Sequence, residues 1–268
     1  MMAGTGSWLR RAGVAGVVLA LLASGASAAE RIKLGVMGGV EEELAEVARK
    51  VAARNGLELD VVTFSDYAIP NAALEAGDLD ANAFQHKPYL DAQIKARGYH
   101  IVPIGYTIVA PIGFYSRTLK GIGELKEGAR VGIPNDPSNG GRALNLLAAN
   151  GLLKLRDGKG LVPSVLDVVE NPKKLQIIEI EAAQLPRSLE DLAGAVINTN
   201  YAVNSGLSPA KDALIIEPRV GNPYGNFIAV REKDKDRPSF KTLVAAYQSP
   251  EVKDFLEARF KGAMLPAW

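Results

Sequence analysis

The chain contains no cysteine among its 268 residues. That excludes disulfides, thiolate nucleophiles and cysteine-ligated zinc or iron, and with them the lipidated cysteine of a bacterial lipoprotein. Histidine is nearly as scarce. His86 and His100 are the only two, too few for a histidine-rich metal site, and no D-x-D-x-D-G calcium loop occurs. An excess of one charge is missing as well. With 31 basic against 30 acidic residues, the net charge of +1 gives no electrostatic case for nucleic acid or an anionic membrane surface. Partners are therefore sought among small molecules or neutral protein surfaces, and neither a metal nor an organic cofactor is expected.

Two catalytic signatures are also absent. No G-x-S-x-G nucleophile elbow is present. The turn Gly35-Val36-Met37-Gly38-Gly39 is spaced G-x-x-G-G and not G-x-G-x-x-G, which removes the pyrophosphate turn of a dinucleotide fold, although Asp60 follows at about the right distance. His86 as a general base oriented by Asp66 or Asp136 stays open as the enzymatic alternative.

The one long apolar run is Gly13 to Ala23, between Arg10-Arg11 and Ala26-Ser27-Ala28. It falls short of the ~20 residues that cross a bilayer. It reads as the apolar region of a signal peptide over residues 1–28, cleaved to leave a mature chain starting at Ala29. Because no cysteine is available for a lipid, the expectation is a protein free in the periplasm.

What the chain does have is the balance of a soluble protein, with 47% hydrophobic and 23% charged residues, enough for one large or two modest domains. Ile32 to Val36 alternates as a strand. Leu44, Val47, Ala48 and Val51 give Glu41 to Asn55 a helical apolar face, and Leu57 to Phe64 is a second strand. The strand-helix-strand opening favours a parallel α/β sheet. Further strands are expected at Leu79 to Phe84, Ala129 to Ile133, Leu175 to Ile180, Ala195 to Asn198, Leu214 to Glu217 and Phe227 to Val230. Helices are expected at Pro70 to Gly77, Tyr89 to Arg97, Leu185 to Leu192 and, in two pieces, Pro238 to Phe260. Ile101 to Tyr115 reads as an extended, proline-broken crossing into a second lobe, and Pro218 to Gly225 as the return.

Pro134 to Arg142 joins a buried strand to a helix. Asp136 or Ser138 supplies the N-cap, and proline is tolerated at the first helical position. The amides of that first turn, with the helix dipole behind them, make an anion site, and the guanidinium fork of Arg142 matches a carboxylate. Aromatic and amide side chains recur where strands end: Tyr67, Phe84, Tyr89, Asn198 to Tyr201 and Asn222 to Asn226. Such groups enclose and orient a ligand without acting chemically on it.

These residues carry a resemblance. Ser65-Asp66-Tyr67 with Pro70-Asn71, then Asp80-Ala81-Asn82-Ala83-Phe84-Gln85-His86 with Pro88-Tyr89-Leu90, then Pro134 to Arg142, Ile197 to Ala202, and Asn222-Pro223-Tyr224 with Asn226 resemble, in order, the methionine-binding NlpA/MetQ family of transport receptors. The resemblance implies an α/β, bilobed periplasmic binding fold of type II character. Its two Rossmann-like lobes are joined by two crossing segments and hold methionine between them for an ATP-driven (ABC) importer. Lobe one is expected over residues 31–110 and 225–268, and lobe two over residues 111–224. By motif position, Arg142 would bind the ligand carboxylate and Asn200 and Asn226 its polar end. Tyr67, Phe84, His86 and Tyr89 would line the side-chain pocket, and Asn145 would add a contact from the Arg142 helix face. A thioether is soft and polarizable and favours aromatic edges. The implied partners are methionine and an inner-membrane permease, with the receptor a monomer that does no chemistry. Another small amino acid or a dipeptide is the alternative ligand.

Overall fold

The computed structural model describes residues 30–268, and the signal-peptide reading lies outside them. The chain opens β1 (Glu30–Met37), α1 (Val40–Arg54), β2 (Leu57–Phe64), α2 (Pro70–Ala76), β3 (Ala81–His86), α3 (Lys87–Arg97), β4 (Ile101–Val109) and β5 (Gly113–Tyr115). It continues β6 (Arg130–Pro134), α4 (Pro137–Ala149), β7 (Lys154–Leu155), β8 (Val168–Glu170), β9 (Gln176–Ile180), α5 (Leu185–Ser188) and β10 (Gly194–Ile197). The remainder is α6 (Thr199–Asn204), α7 (Pro209–Asp212), β11 (Ile215–Ile216), β12 (Gly225–Arg231), α8 (Pro238–Tyr247), α9 (Pro250–Phe260) and β13 (Leu265–Pro266).

Two sheets organise these elements. The first has the order β13-β4-β12-β3-β1-β2 and the second β11-β5-β10-β6-β9, while β7 and β8 pair apart. The chain is thus bilobed and α/β, as expected, with each sheet carrying its own helices. The expectation of a parallel sheet holds only in part. β2, β1 and β3 run parallel, but β12 lies antiparallel between β3 and β4. In the second sheet β9, β6 and β10 are parallel and β5 is antiparallel to β10. β5 and β12 are the strands with which the chain enters a sheet from the other lobe, and β13 also runs antiparallel to β4.

Each lobe has its own core. In the first, Ile32, Leu34 and Val36 of β1 meet Leu44, Ala48 and Val51 of α1 and Phe240, Leu243 and Leu256 of α8 and α9. In the second, Val131 and Ile133 of β6 pack on Leu144 and Leu147 of α4. A third apolar cluster spans the lobes, joining Met37, Phe84 and Tyr89 to Tyr115, Leu185 and Tyr201. Burying apolar surface from both lobes at one seam holds them closed on each other.

The extended Ile101 to Tyr115 run is two strands, one in each sheet, with Ala110 to Ile112 crossing between them. The helix expected to Leu192 stops at Ser188. The β7–β8 pair gives no distinct periodic signal, since two or three paired residues are too few to show a period, and the six residues of α6 make under two helical turns.

Candidate functional site

The lobes line a partly open cavity of about 30 Å³. Lobe one contributes Glu41, Tyr67, Phe84, Gln85, His86, Tyr89 and Asn226. The facing wall is Asn139 and Arg142 of α4 with Asn198, Thr199 and Asn200, and Ala110 sits at the crossing. Seven of the eight residues expected at the site therefore meet at one cavity. The eighth, Asn145, does not line it, and its amide donates to the Gly160 carbonyl at 3.1 Å. Gln85, Ala110, Asn139 and Glu41 were not singled out from sequence, whereas Asn198 and Thr199 belong to the strand-end stretch Asn198 to Tyr201 read as enclosing a ligand. Gln85 and Asn139 lie inside the quoted motifs, Ala110 lies in the crossing run, and Glu41 reads in the sequence only as a helix start.

The α4 N-terminus works differently from the expected anion site. Asp136 is the N-cap, with Pro137 at the first helical position, and its Oδ1 accepts from Asn139 N at 2.8 Å. The Asn139 amide is thus spent on the protein's own carboxylate, and the cavity is met by the side chains of Asn139 and Arg142. Two glycines permit this placement. A Cβ on Gly140 would lie 2.8 Å from the Pro134 carbonyl, and one on Gly141 2.8 Å from Val162 Cα, so only glycine lets the helix sit this close.

Asn139 is a junction between lobes. Its Nδ2 donates to Asp136 Oδ2 at 2.9 Å, while its Oδ1 accepts from Asn198 Nδ2 at 2.9 Å and lies 3.2 Å from His86 Nε2. His86 Nδ1 accepts from Tyr89 N. With an amide oxygen facing Nε2 and an amide N–H facing Nδ1, His86 is the neutral Nε2–H tautomer. Burial and the nearby Arg142 charge lower its pKa to about 3. A ring that stays neutral and is engaged on both nitrogens orients groups and does not shuttle protons.

Arg142, 3% exposed, is not an isolated cation. It donates Nε to Glu217 Oε1 at 2.8 Å and Nη2 to Glu217 Oε2 and to the Ala110 carbonyl, and it stacks on Tyr224 at 4.1 Å from the ring centroid. Glu217 also accepts from the Ile112 amide at 3.0 Å. Both crossing segments are thereby tied to the arginine. Among the described residues nothing accepts from Nη1, so one edge of the guanidinium remains for a ligand. Sequence reasoning missed Glu217, which lies 75 positions away with no local motif.

The first-lobe wall is aromatic. Tyr67, Phe84 and Tyr89 pack with centroids 5.8 to 6.0 Å apart, two of the three pairs edge-on. Tyr89 Oη donates to the Tyr67 carbonyl, and Tyr67 Oη donates to Asn200 Oδ1 across the cleft at 2.6 Å. Behind this wall Asn71, Asn82 and Gln85 bond to one another, fixing α2 on β3. Asn198 Oδ1, Asn200 Nδ2 and Glu41 Oε2, on residues that line the cavity, are buried without a hydrogen-bond partner among the described residues, each costly unless a ligand pairs with it. No group of three or more histidine, aspartate or glutamate side chains among the described residues could hold a metal.

Comparison with known proteins is consistent with this geometry. The family model described as NlpA lipoprotein matches residues 32–268. The D-methionine-binding lipoprotein MetQ of Escherichia coli K12 is 54% identical over 240 residues, covering 88% of each chain. The structure of a nutrient binding protein from Burkholderia cenocepacia bound to methionine superposes with a TM-score of 0.87 at 53% identity, covering 88% of this chain and all of that one. An ABC transporter, periplasmic substrate-binding protein from Coxiella burnetii superposes at 0.85 with 48% identity, covering 88% of this chain and all of that one. The family and its first relative are described as lipoproteins. That overturns the expectation, drawn from the missing cysteine, of a receptor free of a lipid anchor.

Proposed function

The chain belongs to the NlpA lipoprotein family, and we propose that it captures methionine in the interlobe cleft and delivers it to an ABC importer. The carrying observation is the cavity's charge pattern: one guanidinium edge already balanced by Glu217, orphaned amide groups, and an aromatic wall. An electrically balanced cleft suits a zwitterion with an apolar, polarizable tail.

In this reading Arg142 Nη1 takes the α-carboxylate, Asn200 and Asn226 hold the polar end, and Tyr67, Phe84, His86 and Tyr89 enclose the thioether chain. Asn226 already donates to the Phe84 carbonyl at 3.2 Å, so its oxygen remains available. The lobes are residues 31–110 with 225–268 and residues 111–224, a division supported by the segregation of strands between the sheets. Hinge motion at the crossings opens and closes the cleft, and the closed monomer docks on a membrane permease. No catalytic step is assigned, since His86 has both ring nitrogens engaged.

Titration calorimetry against a panel of amino acids tests the reading. Methionine should bind well ahead of charged or branched amino acids. A different amino acid binding best, or none binding, would remove it.

A further inference from the structure

Glu41 opens α1, is 6% exposed and lines the cleft cavity, yet its Oε2 meets no hydrogen-bond partner. The titratable groups that face it are phenols: Tyr67 from the β2–α2 connection, Tyr201 on α6 and Tyr247 on α8, each of whose ionisation Glu41 opposes. Asp66 and Glu181 act on Tyr201 but not on Glu41. Among the described residues no cation pairs with its carboxyl, and burial raises its pKa to about 8. At neutral pH the buried group is a carboxylic acid with an O–H to donate.

Its place in the cavity defines what it meets. Arg142 lines the cavity from α4 of the second lobe, whereas Glu41 lines it from α1 of the first. The two side chains therefore stand on facing walls of the cleft. A methionine whose carboxylate lies on Arg142 extends its sulfur toward the wall that carries Glu41. Apolar walls alone discriminate poorly between a sulfur and a methylene of similar size.

We propose that Glu41 is a specificity-determining residue whose carboxyl donates an O–H hydrogen bond to the ligand's thioether sulfur. It separates methionine from unbranched aliphatic amino acids of the same length. The inference rests on the methionine reading and deepens it. A thioether is a weak acceptor, so the effect is a modest preference, supplied by an otherwise unpaired buried group.

The test is titration calorimetry with L-methionine and L-norleucine on the wild-type chain, Glu41→Gln and Glu41→Met, well below and well above pH 8. Wild type should prefer methionine roughly fivefold below that pH, the scale of one modest hydrogen bond, and lose the preference above it. Glu41→Gln keeps a donor and cannot titrate, so it should hold the preference at both pH values. Glu41→Met, of similar length and without a donor, should bind the two ligands alike. The ammonium groups of the ligands titrate similarly and cancel in the ratio. A preference that survives in Glu41→Met, or that is unchanged across pH 8 in wild type, overturns the role of Glu41. If Glu41→Met does not fold, the wild-type pH series and the Gln variant decide. Wild type binding neither amino acid would instead remove the methionine reading itself.

Discussion

Arg142 and Glu217 form a two-point ion pair with both side chains inside the protein, Nε standing 2.8 Å from Oε1 and Nη2 on Oε2. Arg142 belongs to α4 and Glu217 to the return crossing, and Glu217 also accepts from the Ile112 amide on the outward crossing. Arg142 is thus braced against both segments that join the lobes. In the proposed reading, carboxylate binding and lobe orientation would share this set of hydrogen bonds.

Removing one partner of this pair strands a buried charge. Glu217→Ala should destabilise the protein by about 3–5 kcal/mol, read from urea unfolding. In a double-mutant cycle with Arg142→Ala, the combined loss should be clearly smaller than the sum of the single losses. Additive losses would show that the pair is not coupled.

Arg142→Ala should weaken methionine binding by about 2–5 kcal/mol, the scale for removing one member of a buried charged contact. Calorimetry on Arg142→Ala combined with Glu217→Gln separates this from the stability effect, because no carboxylate is then left unpaired. A loss under about 1 kcal/mol would place the ligand carboxylate elsewhere.

Asn204 of α6 reaches across the cleft to cap α1, accepting from Val40 N at 3.3 Å and donating to the Gly38 carbonyl at 2.8 Å. Gly39 between them has φ +87°, and a Cβ there would stand 2.2 Å from Asn204 Oδ1. Asn204→Ala should therefore speed ligand release several-fold, at the scale of about 1 kcal/mol for one hydrogen bond, while leaving the unfolding midpoint nearly unchanged. Stopped-flow fluorescence measures it, and an unaltered release rate would show that the Asn204 contacts do not hold the cleft shut.

Two buried groups give opposite pH limbs. Glu41 ionises near 4.5 when unfolded and near 8 when folded. Its contribution is complete below about pH 4.5 and is lost as pH rises toward 8. His86 stands at 6.5 unfolded and about 3 folded, so its contribution is complete above 6.5 and is lost as pH falls toward 3. Thermal unfolding followed against pH should show Glu41→Gln flattening the alkaline limb and His86→Gln the acid limb. Unchanged slopes would mean that neither group is buried in its neutral form.

Asp136→Ala should cost about 1–2 kcal/mol, the upper part of the range for losing an N-cap. It should also weaken ligand binding, since Asp136 holds Asn139 and Asn139 contacts both His86 and Asn198. A stability loss with ligand affinity unchanged would detach the cap from the site.

Most of the local structure was legible in the sequence because its causes are local. Asp136 and Pro137 start α4 through a cap and a missing N–H, and β1, α1 and β2 announce themselves by apolar period. Phe84, His86 and Tyr89 could be placed at a strand end, and so at a site, from a few neighbouring residues. Only the tertiary structure decided the antiparallel insertion of β12, the closure of Asn204 on Gly38 and Val40, and the pairing of Arg142 with Glu217. The partners there are scores of positions apart in the chain, and no periodicity reports which distant carboxylate will neutralise a buried guanidinium. Glu41 shows the same limit: its sequence context is an acidic helix start, and only the walls that the fold builds around it make it a neutral acid facing the cleft.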